Sequence, residues 1–210
     1  IEVALTVNGC TGPKTTLAVE VLNPTATSAI TGKDIICEDD LETFNVTNTP
    51  GSTYQWSVPS GSFITSGGNS NQITVSFGSG TAAGANPQIT VTETNLAGCA
   101  STPVVKNITV NNLPTANIVG NTTTICEGNE FDMEVAWTGA LPLTINYLID
   151  GSLSGNFTVP TGTSGNYFHD FEPDPSVTTI YTLTSVADNN GCASNATGLI
   201  RVNVDPIPEL

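Results

Sequence analysis

One phrase occurs three times in this chain and constrains its fold more than any other feature. A strand-like run leads into a polar turn, then a Gly-Cys pair and a second strand-like run, with the cysteines at Cys10, Cys99 and Cys192. These cysteines lie 89 and 93 residues apart. A period of about 90 residues indicates repeated structural units, each the size of one small domain.

Composition and patterning predict an all-β fold. Charged residues make up only 11% of the 210 residues and hydrophobic residues 38%. No run shows the i, i+3, i+4, i+7 spacing of an amphipathic helix, whereas short runs such as 54–58 and 143–149 alternate apolar and polar residues. About seven such strands, with turns every 8–12 residues, fit into each repeat, so we expect tandem antiparallel β-sandwiches.

The repeat divides the chain into three segments. Residues 1–31 are expected to be the C-terminal hairpin of a preceding repeat, with strands over Glu2–Val7 and Thr15–Leu22. Residues 32–118 and residues 119–210 are then two complete sandwiches. Because the chain begins at Ile1 with no initiator Met, we expect it to be a piece of a longer tandem array.

The cysteine spacing predicts one disulfide in each sandwich. Cys37 precedes Cys99 by 62 residues, and Cys126 precedes Cys192 by 66. Neither CxxC nor Cys/His ligand spacing occurs, which argues against zinc. The expected pairs are therefore Cys37 with Cys99 and Cys126 with Cys192, formed in an oxidising compartment. Cys10 is left unpaired, and its partner is expected upstream of Ile1.

The formal net charge of −15 excludes some partners. Such a chain repels phosphate backbones, so nucleic acid is not an expected partner, and no apolar run is long enough for insertion into a membrane. No cofactor is required, but acidic loops can bind calcium, which takes 6–8 oxygen ligands. The calcium candidates are Asp170, Glu172, Asp174 and Asp188.

Three segments resemble known repeat families. Tyr54–Gly61 resembles the YxW strand of PKD and PKD-like domains, while Trp137–Tyr147 and Tyr181–Cys192 resemble bacterial Ig-like repeats. Together they are similar to the tandem PKD-like/Ig-like repeats of giant cell-surface adhesins of the Bacteroidota, such as SprB-type gliding-motility adhesins. The acidic turn of PKD domains is absent, because Trp56 is followed by Ser57-Val58-Pro59.

This resemblance implies display at the cell surface, reached through type IX secretion. The expected function is that of a structural and adhesive repeat segment, acting mainly as a spacer stalk whose partners are the neighbouring repeats. One alternative is a carbohydrate-binding module for surface polysaccharide, with calcium as a candidate cofactor. Another is a set of accessory domains of a secreted enzyme.

No catalytic residues are predicted. His169 is the only histidine, and no GxSxG or similar nucleophile motif accompanies it. Paired acids after Cys37 and Cys126 invite comparison with glycosidases, but their equivalent positions in both repeats favour solvent-facing strands and turns. An exposed Trp56 or Trp137 would favour a carbohydrate binder, and burial of both would favour a spacer.

Overall fold

The computed structural model of the protein describes residues 2–16, 18, 24, 26–81, 87–171 and 174–208. The described chain is built from 21 strands and their connecting turns, so the all-β prediction is confirmed. Nowhere in the described part is there a helix long and apolar enough to cross a membrane.

The first residues form a small exposed hairpin. Its strands are β1 (Glu2–Val3), β2 (Thr6–Val7), β3 (Cys10–Thr11) and β4 (Thr15–Thr16). β1 pairs with β4 and β2 with β3, both antiparallel. The two turn residues Asn8 and Gly9 have φ of 51° and 83°, as a two-residue hairpin turn requires. Of the strand expected over Thr15–Leu22, residues 17 and 19–22 lie outside the described residues.

Eight strands make the first sandwich. They are β5 (Ile35–Cys37), β6 (Leu41–Asn45), β7 (Thr53–Ser57), β8 (Ser62–Ser66), β9 (Gln72–Phe77), β10 (Gln88–Thr94), β11 (Val104–Asn107) and β12 (Thr109–Asn111). β11-β10-β7 and β6-β9-β8 are antiparallel sheets, whereas β5 pairs with β12 in parallel. The alternating side chains of these strands pack into one core, which includes Phe44, Tyr54, Trp56, Ile73, Phe77 and Val91.

Nine strands make the second sandwich. They are β13 (Thr115–Ile118), β14 (Thr122–Cys126), β15 (Asp132–Thr138), β16 (Leu143–Ile149), β17 (Leu153–Val159), β18 (Tyr167–Asp170), β19 (Thr179–Ala187), β20 (Ala193–Asn195) and β21 (Leu199–Asp205). One sheet has the order β13-β15-β18, and the other β14-β21-β19-β16-β17 with β20 beside β19. Their core is separate from the first and includes Met133, Val135, Ile145, Phe157, Tyr181 and Val202.

The two sandwiches share one feature that the antiparallel prediction missed. In each, the strand that ends at the first cysteine, β5 or β14, runs parallel to the closing strand, β12 or β21. Cys37 lies opposite Asn111 across β5 and β12, and Cys126 lies opposite Asp205 across β14 and β21. The first cysteine of each repeat is therefore level with the end of the closing strand, at the C-terminal end of its sandwich.

Candidate functional site

The candidate functional site is the junction between the two sandwiches, which we define as residues 37–40, 112–114 and 188–193. It brings the C-terminal end of the first sandwich against the N-terminal end of the second. Two kinds of cysteine-bearing turn meet there. Each kind occurs once in each sandwich.

The first kind is the first-cysteine turn, residues 37–40 and 126–129. In both turns the N–H of the fourth residue donates to the carbonyl of the cysteine, at 3.2 and 3.0 Å. The N–H of the second residue donates to the last residue of the closing strand, Asn111 or Asp205, at 2.9 Å in both. The third residue is left-handed, with φ of 66° and 81°. The two turns share these hydrogen bonds and the left-handed third residue.

The second kind is the Gly-Cys loop, residues 95–99 and 188–192. Its first residue is Asn95 or Asp188, whose side chain accepts the N–H of the cysteine at 2.9 and 3.0 Å. The N–H of that first residue donates to the cysteine carbonyl, at 3.1 and 2.9 Å. Short polar side chains close such turns locally, which explains the Asn or Asp four residues before each cysteine.

A disulfide between Cys37 and Cys192 joins the two sandwiches, with a Cα–Cα distance of 5.6 Å. The expected pairs, Cys37 with Cys99 and Cys126 with Cys192, are therefore wrong, and so is the expectation of one disulfide in each sandwich. Cys10 and Cys126 are exposed thiols, and Cys99 is partly buried. The cross-link lies between repeats rather than within one.

Strand direction explains the error. Cys37 is level with Asn111, whereas Cys99 precedes β11, which begins at Val104. Seven extended residues separate Val104 from Asn111, a path of about 23 Å. A disulfide needs Cα atoms within about 4.4–6.8 Å of each other. The two cysteines of one sandwich thus lie at opposite ends, and the same reasoning separates Cys126 from Cys192.

Polar and apolar contacts complete the junction around the disulfide. Asp188 is 9% exposed, and its two carboxylate oxygens accept the N–H groups of Ala140 at 3.2 Å and of Asn190 and Cys192 at 3.0 Å. The half-buried Leu113 lies against the Gly-Cys loop of the second sandwich, and Pro114 is buried. The linker and the disulfide attach the sandwiches at two points.

The acidic candidates for calcium do not come together. Asp188 lies at the junction, where backbone N–H groups occupy its oxygens. Asp170 pairs with Asp132 at the start of β15, and Asp174 accepts the N–H of Phe131 at 2.8 Å, both at the far end of the second sandwich. Glu172 lies outside the described residues. No cluster of three or more His, Cys, Asp or Glu suited to a metal occurs in the described part of the chain. Calcium binding stays a prediction.

His169 belongs to an aromatic cluster. Its ring stacks on Phe157 with a centroid distance of 4.2 Å and meets Phe171 edge-on at 4.6 Å. Burial lowers the pKa of His169, and the nearby Asp170 and Asp132 oppose that effect. Burial in the same cluster raises the pKa of Tyr181 to about 12. The geometry gives His169 a packing role.

The tryptophans considered for sugar stacking are largely covered. Trp56 is 8% exposed, and its indole N–H donates to the carbonyl of Ser70 at 2.8 Å. Trp137 is partly buried against the second core. The exposed aromatic side chains instead include Phe63, at 67%, and Phe168, at 58%.

Glu93 is a notable residue that the sequence interpretation passed over. It is 2% exposed, one carboxylate oxygen accepts the hydroxyl of Thr27 at 3.1 Å, and the other has no hydrogen-bond partner. The alternation Ile89, Val91, Glu93 places it on the buried face of β10. That pattern was available in the sequence.

The described residues form tandem β-sandwiches joined at the junction, and one of these sandwiches matches a known family. Residues 23–110 match the family model of the PKD-like domain. The domains so detected are non-catalytic, and such domains with a disulfide are typical of extracellular proteins. No curated protein matches the chain significantly.

Several solved structures of tandem domains are similar at low identity. The first three domains of the outer capsid protein Hoc of bacteriophage RB49 are 15% identical over 87% of this chain and 71% of theirs, with a TM-score of 0.47. A variant of titin domains I67–I69 is 12% identical over 86% and 67%, with a TM-score of 0.45. The D00-D0 domains of intimin are 14% identical over 86% and 100%, with a TM-score of 0.38.

Proposed function

We propose that this chain is a spacer segment of a large extracellular filament, in which tandem sandwiches are fixed end to end. The observation that carries the proposal is the junction. A disulfide and a short linker attach the C-terminal end of one sandwich to the N-terminal end of the next. Two attachment points restrict rotation and bending between the sandwiches far more than one linker does. The pair is therefore suited to keeping the two ends of the segment a fixed distance apart.

The surroundings of the candidate binding groups support this choice. Trp56 is buried, and both carboxylate oxygens of Asp188 accept hydrogen bonds from backbone N–H groups. The finer proposal is a cell-surface filamentous adhesin of bacteria, used in surface attachment or gliding and exported by type IX secretion. That part rests on the resemblance of 54–61, 137–147 and 181–192 to such repeats.

Small-angle X-ray scattering tests the spacer function. We expect an elongated particle with one narrow distribution of inter-domain distances. The matched variant Cys37→Ala, which removes the cross-link but leaves the linker, should give a broader distribution. A compact, folded-over particle, or equal distributions for the two proteins, would contradict a spacing function.

A carbohydrate-binding function is the second candidate, favoured by the exposed rings of Phe63 and Phe168. Its test is retention on immobilised polysaccharides, with calcium and with chelator. A binder predicts retention that falls in Phe63→Ala or Phe168→Ala but not in Leu153→Ala, an exposed apolar control. Absence of retention under all conditions favours the spacer alone.

A further inference from the structure

The C-terminal end of the second sandwich repeats the geometry of the end that is already cross-linked. The first-cysteine turn 126–129 has two of the backbone hydrogen bonds and the left-handed third residue of the turn 37–40. Cys37 in that geometry is bonded to a Gly-Cys loop, whereas Cys126 is an exposed thiol. The turn 37–40 thus shows that a turn of this kind can form a disulfide with the Gly-Cys loop of an adjoining sandwich.

A second, independent equivalence concerns the apolar contact beside the cysteine. Since Asn111 and Asp205 hold the same register position, Leu113 corresponds to Ile207 and Pro114 to Pro208. Leu113 is half-buried against the next sandwich. Ile207 is 63% exposed. The apolar side chain equivalent to Leu113 is therefore present at this end of the second sandwich, but it is exposed.

We propose that Cys126 forms a disulfide with the Gly-Cys loop of another sandwich of this kind, docked end-on against the turn 126–129 and Ile207. The partner is another copy of the second sandwich or a close equivalent, because the bonded neighbour of Cys37 is the Gly-Cys loop of such a unit. Repeats so joined form a series in which the first cysteine of each is bonded to the second cysteine of the next.

The bond forms by thiol–disulfide exchange with a disulfide oxidant of the extracellular compartment. The thiolate of Cys126 attacks one sulfur of the oxidant, which leaves a mixed disulfide and releases one oxidant thiol. The partner cysteine, as a thiolate, then attacks the Cys126 sulfur and releases the second oxidant thiol. The two cysteines lose two electrons and two protons in total, and the oxidant disulfide is reduced to two thiols.

The test extends the chain by one unit. Residues 1–208 are continued directly by residues 115–210 of a second copy, so that Ile207 and Pro208 take the places of Leu113 and Pro114 at the new joint. The exposed Thr197 of the appended copy is changed to Ser, which distinguishes the two Cys192 peptides by mass. The appended copy's own Cys126 is changed to Ala, so that alkylation reports only the Cys126 at the new joint. The protein is refolded with reduced and oxidised glutathione, alkylated and digested without reduction.

We expect two cross-linked peptide pairs, Cys37 with the first Cys192 and Cys126 with the mass-marked Cys192, and loss of alkylation at Cys126. The first pair shows in the same molecules that the sandwiches have folded. Cys126 that stays alkylatable while this pair forms, or that pairs with the unmarked Cys192, would overturn the proposal. Changing the appended Cys192 to Ala is the control and should restore alkylation of Cys126.

If the extended chain does not fold, the unextended protein provides a second measurement. In its Cys37→Ala variant, which leaves Cys192 unpaired, oxidation at high concentration should link Cys126 of one molecule to Cys192 of another. Symmetric Cys126–Cys126 dimers, or a stable glutathione adduct alone, would refute the proposed partner. The proposed spacer function is separable from this inference, since the Cys37–Cys192 junction would stand if Cys126 stayed reduced.

Discussion

Removal of the Cys37–Cys192 disulfide should destabilise both sandwiches, although each cysteine belongs to only one. The perturbation is Cys37→Ala or Cys192→Ala. With the second sandwich unfolded and the first intact, the disulfide closes a loop that starts near Asn111, because Cys37 lies opposite that residue. That loop of about 80 residues corresponds to about 4.5 kcal/mol in the chain-entropy treatment.

The converse case has almost the same magnitude, since the loop from Cys37 to the linker is also about 80 residues long and again corresponds to about 4.5 kcal/mol. With both sandwiches unfolded, the loop spans the full separation of 155 residues. It then corresponds to only about 5 kcal/mol. Once one sandwich has unfolded, the disulfide protects the other by less than about 1 kcal/mol.

The disulfide should therefore couple the unfolding of the two sandwiches. The native protein should unfold as one unit if the intrinsic stabilities of its sandwiches differ by less than about 4 kcal/mol. In either alanine variant the sandwiches should unfold independently, with a total unfolding free energy lower by about 5 kcal/mol.

The chain provides one tryptophan reporter for each sandwich, Trp56 in the first and Trp137 in the second. Urea titrations are followed by fluorescence in Trp56→Phe and Trp137→Phe backgrounds, without reductant. Cys126→Ala, which leaves the disulfide intact, is the control and should move neither transition. If Cys192→Ala shifts only the Trp137 transition, the disulfide is not inter-domain in solution and the reasoning fails.

Three further predictions concern single side chains. His169→Gln should remove a pH dependence from the unfolding free energy of the second sandwich. The pKa of His169 in the folded protein is lowered below its ordinary value of about 6.5, so the native protein has its full stability above that pH and loses stability as the pH falls through it. Urea titrations followed at Trp137 from pH 7.5 to 5 measure this. Asp188→Ala should cost the same sandwich about 2–3 kcal/mol, because it leaves buried N–H groups at the junction unbonded. Glu93→Gln should stabilise the first sandwich by about 1 kcal/mol, since it removes a buried carboxylate with one unpartnered oxygen. The Trp56 transition reports it.

Each of these predictions has a contradicting result. An equal pH slope in His169→Gln and the native protein would mean that the carboxylates alone set the acid sensitivity. A loss of stability below about 0.5 kcal/mol in Asp188→Ala would mean that water replaces the carboxylate. A destabilised Glu93→Gln would mean that the carboxylate is better satisfied than its contacts indicate, and Thr27→Val would then be the matched variant for its remaining hydrogen bond.

Much of the fold could be predicted because local patterns decide it. The alternation around Tyr54 and Trp56 indicates a half-buried strand, and both side chains enter the first core. The dipeptide Asp150-Gly151 indicates a hairpin turn, and both residues have positive φ between β16 and β17. These features depend on neighbours in sequence, so the sequence alone carries them.

The cysteine pairing could not be predicted from spacing, for a reason specific to repeats. In a periodic chain, the sequence separation from the first cysteine of a unit to the second cysteine is constant from repeat to repeat, whether that second cysteine belongs to the same unit or to the next. Equal spacing therefore fits both pairings. Only the direction of the strand between Cys99 and Asn111 separates them, and spacing does not encode it.

The acidic loop residues show the same limit. The sequence presents Asp188 as an oxygen donor, which fits a metal ligand and a turn-closing side chain equally. Asn95 at the equivalent position in the first repeat is the informative residue, because an amide closes the same turn without a negative charge. Comparison of the two Gly-Cys loops would have favoured the turn.

The two-point junction also determines how far the protein lengthens when it is pulled from its ends. If the second sandwich unfolds, the force passes from Cys192 through the disulfide to the first sandwich, so the chain between the linker and Cys192 is not stretched. Only the residues after Cys192 are released, about 13 up to the end of β21, or about 45 Å. Without the disulfide a whole repeat of about 90 residues would add about 300 Å. A filament built this way could lose the fold of a repeat under tension and still keep its reach almost unchanged.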